Sequence, residues 1–133
     1  MYINNKNMKD VPISLRTWFI IHFVVDMVFA IPLLMFPRWT LALFGIPVLE
    51  TLTVRLVAAA LIGIGGVSFL VRNEKKEVFD ALLSLKILWS VAALVAIALY
   101  LVEGGVKRAW LFFVIFLIFF IIWTSHKVKL GKN

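Results

Sequence analysis

Four long apolar runs, separated by short polar segments, dominate the hydropathy pattern of this chain. A helix needs about 20 apolar residues to cross the hydrocarbon core of a bilayer. The four predicted transmembrane helices cover residues 17–36, 53–71, 78–102 and 109–125. Because the last two connections are short, neighbouring helices are expected to run antiparallel. The sequence therefore predicts an all-α, polytopic integral membrane protein, folded as one antiparallel four-helix transmembrane domain over residues 1–133.

The connection over residues 37–52 is too apolar for a free loop and too interrupted for a membrane span. Trp39 and Phe44 suit the headgroup level of a bilayer. We predict a short interfacial helix here, ended by Gly45 and Pro47. The alternative is a plain extension of the first span past Pro37.

Composition supports the membrane assignment. Of 133 residues, 63% are hydrophobic and 16% are charged, whereas ordinary soluble domains have about 25% charged residues. The net charge of +7 favours anionic lipid headgroups over nucleic acid, because the basic residues lie mostly at the ends of the apolar runs. The chain has no cysteine, so disulfides and thiolate metal sites are excluded.

The distribution of basic residues predicts the orientation. With four spans, nine of them fall on one side of the membrane: Lys6, Lys9, Arg16, Arg72, Lys75, Lys76, Lys127, Lys129 and Lys132. The other side has Arg38, Lys107 and Arg108, with Arg55 just inside the second span. Cytoplasmic segments are enriched in Lys and Arg. We therefore expect a multi-pass protein of the cell membrane with both termini in the cytoplasm.

Three ionisable residues lie within the apolar runs, His22 and Asp26 in the first and Lys86 in the third. Such residues normally face a partner or a polar cavity. Asp26 and Lys86 lie about nine and eight residues from the same side, so at about 1.5 Å per residue they reach similar depths. An Asp26–Lys86 ion pair is therefore predicted. It would be either a structural lock that fixes helix register or part of a ligand or proton site.

Residues three, four, seven and eleven apart share one face of a helix. The first predicted inward face contains Phe19, His22, Asp26, Ala30 and Leu33. The second contains Arg55, Ala59, Ile62, Gly63 and Gly66, and the third contains Lys86, Ser90, Ala93, Ile97 and Tyr100, with Ala96 at its edge. Small residues on these faces allow close helix packing. The fourth span is expected to be the most lipid-exposed, with Trp110 and Trp123 at opposite interfaces.

The candidate ligand or proton site therefore comprises five residues: His22, Asp26, Lys86, Ser90 and Tyr100. Outer-side candidates are Arg55 and Glu103, with Glu50 as another carboxylate in reach of Arg55, whereas Asp80 is expected to pair with Lys76. No catalytic triad, paired carboxylates or phosphate loop is recognisable. A metal or haem at His22, with His126 as second ligand, is the less favoured interpretation. We expect no cofactor, no metal and no catalytic residue.

A resemblance adds to this interpretation. Phe36-Pro37 ends the first run, residues 43–47 read Leu-Phe-Gly-Ile-Pro, and Arg55-Leu56 opens a glycine-rich second run. This order resembles the small four-helix membrane proteins of the DoxX-like group over roughly residues 17–71. The resemblance implies a four-helix membrane bundle. Relatives in that group have been linked to quinone-associated oxidoreductase assemblies, but no motif of that activity can be assigned to a residue here.

Three functions remain open. The first is a non-enzymatic membrane component that binds a partner protein, a second copy of itself or a lipid-like ligand within the bilayer. The second is a proton-coupled carrier or channel for small solutes that uses His22, Asp26 and Lys86. The third, and weakest, is a quinone- or lipid-linked membrane enzyme.

Overall fold

The computed structural model describes residues 11–132, and within them every regular element is a helix. The predicted contribution of Lys6 and Lys9 to the orientation lies outside the described residues. The helices are α1 (Ile13–Met35), α2 (Pro37–Ala42), α3 (Leu52–Leu70), α4 (Lys76–Val102) and α5 (Trp110–Gly131), with a 3₁₀ turn at Lys107–Ala109 before α5. Four of these, α1, α3, α4 and α5 with its 3₁₀ turn, are long and apolar enough to cross a membrane.

Two compact units make up the described chain, and the prediction of a single domain stays a prediction. Ile13–Asn73 forms one unit, and Val11 and Pro12 with the described residues from Glu74 onward form the other. In the first unit α1 packs mainly against α3, and in the second α4 packs mainly against α5.

A proline separates α1 from α2. Pro37 has no backbone N–H, so it suits the first turn of a helix, and Phe36 before it leaves the helical region with φ −132° and ψ 60°. The Thr40 hydroxyl then donates to the Phe36 carbonyl at 2.8 Å. The predicted short helix is thus present, and α1 does not extend past Pro37. It ends at Ala42, before the predicted stop at Gly45, which adopts φ +70° in the following turn.

Hydrogen bonds tie α1 to α3 at both ends. The Arg16 guanidinium, near the start of α1, donates to the Arg72 carbonyl just after α3. At the other end, Arg55 Nε, in the first turn of α3, donates to the Leu34 carbonyl at 3.1 Å. The start of α1 therefore lies beside the end of α3, and the end of α1 lies beside the start of α3.

The second unit has the same arrangement of ends. Lys127 Nζ in α5 lies 2.7 Å from Asp80 Oδ1 near the start of α4, and also donates to the Ser84 hydroxyl at 2.9 Å. The predicted Asp80–Lys76 pair stays a prediction. At the other end, the turn between the helices passes through Gly104 with φ +92°, a backbone conformation that favours glycine.

The helix bounds differ from the predicted spans mostly at the ends. α1 begins four residues before residue 17, and α5 continues six residues past residue 125. Hydropathy marks where apolar side chains stop, whereas backbone hydrogen bonding continues through polar residues such as Lys127 and Lys129. A membrane span and the helix that contains it are different lengths for this reason.

The predicted inward faces of α1, α3 and α4 agree with the observed burial to different degrees. All five predicted residues of α1 are buried, and on α4 Lys86 and Ser90 are buried while Ala93, Ile97 and Tyr100 are half-buried. The prediction for α3 is wrong. Its buried residues are Ala58, Leu61, Gly65 and Ser68, whereas Arg55, Ala59 and Gly63 are exposed and Ile62 and Gly66 are half-buried.

The error on α3 arises from Arg55. The prediction for α3 takes the charged residue within the span as the mark of its inward face. Arg55 lies in the first turn of the helix, where a long side chain reaches a polar partner without its Cα facing inward. The buried residues Ala58, Leu61 and Gly65 each lie one position before the predicted Ala59, Ile62 and Gly66.

The fourth span also differs from expectation. α5 buries the same share of its most apolar window as α3 and α4, so it is not the most exposed helix. Trp110 is exposed, but Trp123 is 0% exposed. Because α5 continues to Gly131, Trp123 lies two turns inside the helix and shares a buried face with Phe119, His126 and Leu130.

Candidate functional site

A buried pair of ionisable side chains lies on α1. His22 Nδ1 is 3.3 Å from Asp26 Oδ2, one helical turn away. The two residues are 5% and 6% exposed. Burial disfavours an isolated charge, and here a carboxylate and an imidazole lie within ion-pair distance of each other. The pair thus places an acidic and a basic side chain next to each other in the interior of the first unit.

Gly65 of α3 lies directly against Asp26. A Cβ atom built on Gly65 would stand 2.6 Å from Asp26 Cβ and 2.8 Å from Asp26 Oδ2. Real Cβ atoms essentially never approach a heavy atom that closely. The glycine is therefore required by the close approach of α1 and α3 at the level of the carboxylate, and it fixes where Asp26 can lie.

Among the residues that the structure describes, Lys86 on α4 is the most deeply buried ionisable group, at 1% exposure. Its Nζ lies 5.0 Å from the centre of the Trp123 ring of α5. An ammonium within about 6 Å of an indole face is attracted by the ring quadrupole, more strongly where water is excluded. Trp123, which we predicted to be an interfacial residue, thus lies over the buried lysine. Ser90, one turn further along α4, is also buried.

The structure brings only some of the candidate residues together. His22 and Asp26 are in contact, and Lys86 and Ser90 share one face of α4. Because Asp26 and Lys86 belong to different units, their predicted ion pair stays a prediction. Tyr100 takes part in the turn after α4, where its hydroxyl accepts a hydrogen bond from the Val106 N–H at 3.4 Å.

The outer-side candidates Arg55 and Glu103 belong to different units, so a pairing between them stays a prediction. Arg55 binds the Leu34 carbonyl and, through Nη1, the Thr51 hydroxyl at 3.3 Å. Glu50, which we considered as its partner, instead accepts hydrogen bonds from the Leu52 and Thr53 N–H groups at 2.7 and 3.2 Å. Glu103 follows the end of α4 and is exposed.

The Glu50 carboxylate lies outside the predicted spans and is shifted in acidity. A hydrogen bond with the Thr53 side chain, followed by those from the Thr53 and Leu52 backbone, lowers the pKa of Glu50. Hydrogen bonds to the charged form favour that form. Glu50 therefore stays ionised and accepts hydrogen bonds from backbone N–H groups at the start of α3 that have no partner within the helix.

An open cavity lies at this same end of the first unit, where α1 ends and α3 begins. Its volume is about 410 Å³. It is lined by Phe36, Pro37, Arg38, Trp39, Thr51 and Arg55. Two guanidinium groups and two aromatic side chains thus surround one space, and no carboxylate contributes to its wall.

Within residues 11–132, no cluster of three His, Cys, Asp or Glu residues could hold a metal ion. His126 lies on α5 with Nδ1 2.9 Å from the Ile122 carbonyl of its own helix. No family model, curated protein or solved structure matches the chain. The resemblance to the DoxX-like group stays a prediction, and the fold places the chain only in the broad class of helical proteins with four candidate membrane spans.

Three features were missed from the sequence: the contact of Gly65 with Asp26, the burial of Trp123 over Lys86, and the shared cavity of Arg38 and Arg55. The first two left a signal in the sequence. The polar residues Ser68 and His126 mark the buried faces of α3 and α5, since Gly65 and Trp123 lie three residues before them. Ser68 predicts the buried face of α3 better than Arg55 does. His126 predicts the buried face of α5 better than the end of its apolar run does. The joining of Arg38 and Arg55 left no signal, because the path of residues 43–51 decides it.

Proposed function

We propose that this chain is a non-enzymatic integral membrane protein that binds a lipid-like ligand in the plane of the membrane. The observation that carries the proposal is the open cavity of about 410 Å³ at the junction of α1, α2 and α3. Ligand cavities have volumes of about 300–1,000 Å³ with apolar walls and a few polar groups. This one combines aromatic side chains with two arginines.

The surroundings of the cavity favour an amphipathic ligand over a wholly polar one. Phe36 and Trp39 are each 62% exposed at its mouth, and Met35 and Leu52 beside them are also exposed. Exposed apolar side chains of this size indicate contact with lipid or with an apolar partner. A ligand with a polar head and apolar chains would satisfy both the arginines and these side chains.

Native mass spectrometry of the protein, purified in mild detergent, tests this proposal. We expect a lipid-like molecule to be retained by the wild type and by Trp110→Ala, which removes an exposed tryptophan in the other unit. Retention should fall in Trp39→Ala, which removes a cavity wall. A bare monomer, or equal retention by both variants, would contradict the proposal; retention of only a second copy of the chain would favour a homo-oligomer instead.

We also propose that the four long helices form one antiparallel bundle with both termini in the cytoplasm, and that α2 lies at the outer interface. The excess of basic residues at the termini and in residues 72–76 supports this orientation. The proximity of helix ends within each unit supports the antiparallel order.

Because the chain has no cysteine, single cysteines can report the topology. Asn73 and Lys107 are both exposed and lie in successive connections. A membrane-impermeant thiol reagent should label Lys107→Cys in intact cells, and Asn73→Cys only after permeabilisation. The reverse pattern would invert the orientation, and labelling of both in intact cells would exclude a membrane span between them.

A second function, a proton-coupled carrier or channel, is favoured by the His22–Asp26 contact, because a buried ionisable pair within a membrane helix is a candidate for proton transfer. In liposomes with a pH gradient, Asp26→Asn should abolish a proton flux that Asp80→Asn retains. Asp80 serves as the control because it is half-exposed and pairs at a helix end. Unchanged flux in Asp26→Asn would reject this function.

A further inference from the structure

Arg38 and Arg55 line the same cavity. We propose that they form a binding site for the phosphate group of a phospholipid, with the acyl chains of that lipid lying along the exposed apolar side chains at the cavity mouth. This inference rests on the proposed lipid-binding function and names the ligand class.

The first argument is the state of Arg55. Its Nε and Nη1 atoms donate to the Leu34 carbonyl and the Thr51 hydroxyl at 3.1 and 3.3 Å. These two bonds fix the plane of the guanidinium. Within residues 11–132 the remaining donors, on Nη2 and the second hydrogen of Nη1, make no hydrogen bond. A guanidinium held in this way presents a pre-organised fork to an oxyanion, which arginine binds through two parallel hydrogen bonds.

The second argument is the local charge. Arg38 is exposed, and its guanidinium makes no hydrogen bond or ion pair with the part of the chain described here. Glu50, the acidic residue nearest to Arg55 in sequence, does not line the cavity, and its carboxylate is bound to the amide groups of Leu52 and Thr53. Two cations therefore face one space without a lining carboxylate, which favours a ligand with negative charge.

The third argument distinguishes a lipid from a free anion. The cavity lies where the apolar helices α1 and α3 end, and its mouth carries the exposed rings of Phe36 and Trp39. Tryptophan is enriched at the headgroup level of bilayers. A free phosphate would leave these rings in contact with water, whereas a phospholipid covers them with its glycerol and acyl chains.

The test is a binding titration of the purified full-length protein, followed by native mass spectrometry, with four probes. They are phosphatidic acid, diacylglycerol with the same acyl chains, glycerol 3-phosphate and inorganic phosphate. We expect phosphatidic acid to bind at least about tenfold more tightly than each of the others, because a charge-assisted hydrogen bond to phosphate is lost with diacylglycerol and apolar contacts are lost with the soluble anions.

The variants then locate the site. Arg38→Gln should weaken phosphatidic acid by about tenfold; it removes no hydrogen bond within the described residues, so its folding should be unaffected. Arg55→Lys, which retains charge but loses the fork, should also weaken binding. Lys107→Gln/Arg108→Gln, a control that removes two exposed positive charges elsewhere, should bind as the wild type does.

Each outcome decides a different point. Equal binding of diacylglycerol would overturn the phosphate site while leaving the proposed lipid-binding function intact. Equal binding of inorganic phosphate or glycerol 3-phosphate would overturn the lipid as the source of the phosphate. Equal weakening by the control variant would reduce the effect to overall charge and overturn the site. Binding of no probe, with no lipid retained on purification, would overturn the site and the proposed function together.

Discussion

Substituting Gly65 by alanine is the sharpest perturbation that the structure offers. The new methyl group would stand 2.6 Å from Asp26 Cβ and 2.8 Å from Asp26 Oδ2, well inside van der Waals contact. The nearest atom is Asp26 Cβ, which no side-chain rotation can move away. Either α1 and α3 must separate, or Asp26 must move from its position beside His22.

The magnitude follows from two opposing terms. Overpacking a well-packed interior costs about 1–3 kcal/mol. Replacing glycine by alanine within a helix gains about 0.5–1 kcal/mol. Gly63→Ala is the matched control, because it lies on the same helix and a Cβ there meets no atom within 4 Å. The helix-propensity gain is common to both variants, so their difference isolates the steric term of about 1–3 kcal/mol.

The free energy of unfolding can be measured for both variants in a detergent micelle by titration with a denaturing detergent. Gly65→Ala should be less stable than Gly63→Ala by that difference. Gly66→Ala, where a Cβ also meets open space, should behave like Gly63→Ala. Equal stability of Gly65→Ala and Gly63→Ala would refute the close approach of the two helices at Asp26.

Three further predictions concern other parts of the chain. Trp123→Ala should lower the free energy of unfolding by about 3 kcal/mol, near the low end for a buried tryptophan, because lipid replaces part of the transfer term. Trp110→Ala, at an exposed position, should change it by about 0.5 kcal/mol or less. Similar losses in the two variants would contradict the burial of Trp123. Lys127→Met should cost about 0.5–1 kcal/mol, less at high salt, because the ion pair is half-exposed, and Lys129→Met should show no such salt dependence in the same denaturation assay. The pKa of Glu50 is lowered in the folded chain, so its stabilising contribution is present above the unfolded pKa and is lost as pH falls through the folded pKa. In an acid titration, Glu50→Gln should therefore lose less stability at low pH than the wild type. Identical acid profiles of the two proteins would reject this role.

Much of the helical architecture followed from the sequence. The lengths of the apolar runs determined four helices long enough to cross a membrane, since that requirement depends only on consecutive apolar residues. Pro37 determined the break after α1, because proline lacks the N–H that a continuous helix needs. The inward face of α1 was also predictable, because His22 and Asp26 are both polar and lie one turn apart on a helix without other charges after Arg16.

Other properties depended on atoms that sequence spacing does not specify. The buried face of α3 was assigned wrongly because an arginine at a helix end reaches its partner from an exposed position. Trp123 was assigned to an interface because the apolar run ends there, although the helix continues. Arg55 misleads because its long side chain reaches a polar partner from an exposed backbone position. Trp123 misleads because the helix continues beyond the apolar run, which leaves this residue inside the packed helix pair.

By itself, the sequence determined that this protein is helical, that it is apolar enough for a membrane, and which polar residues of α1 turn inward, because these properties repeat with the period of the helix. Only the tertiary structure decided that Gly65 lies against Asp26, that Trp123 covers Lys86, and that Arg38 and Arg55 share one cavity. Those contacts depend on how each pair of helices is rotated and on the path of the loop between α2 and α3. Rotation and loop path are set by side-chain packing between distant segments, which no local pattern encodes.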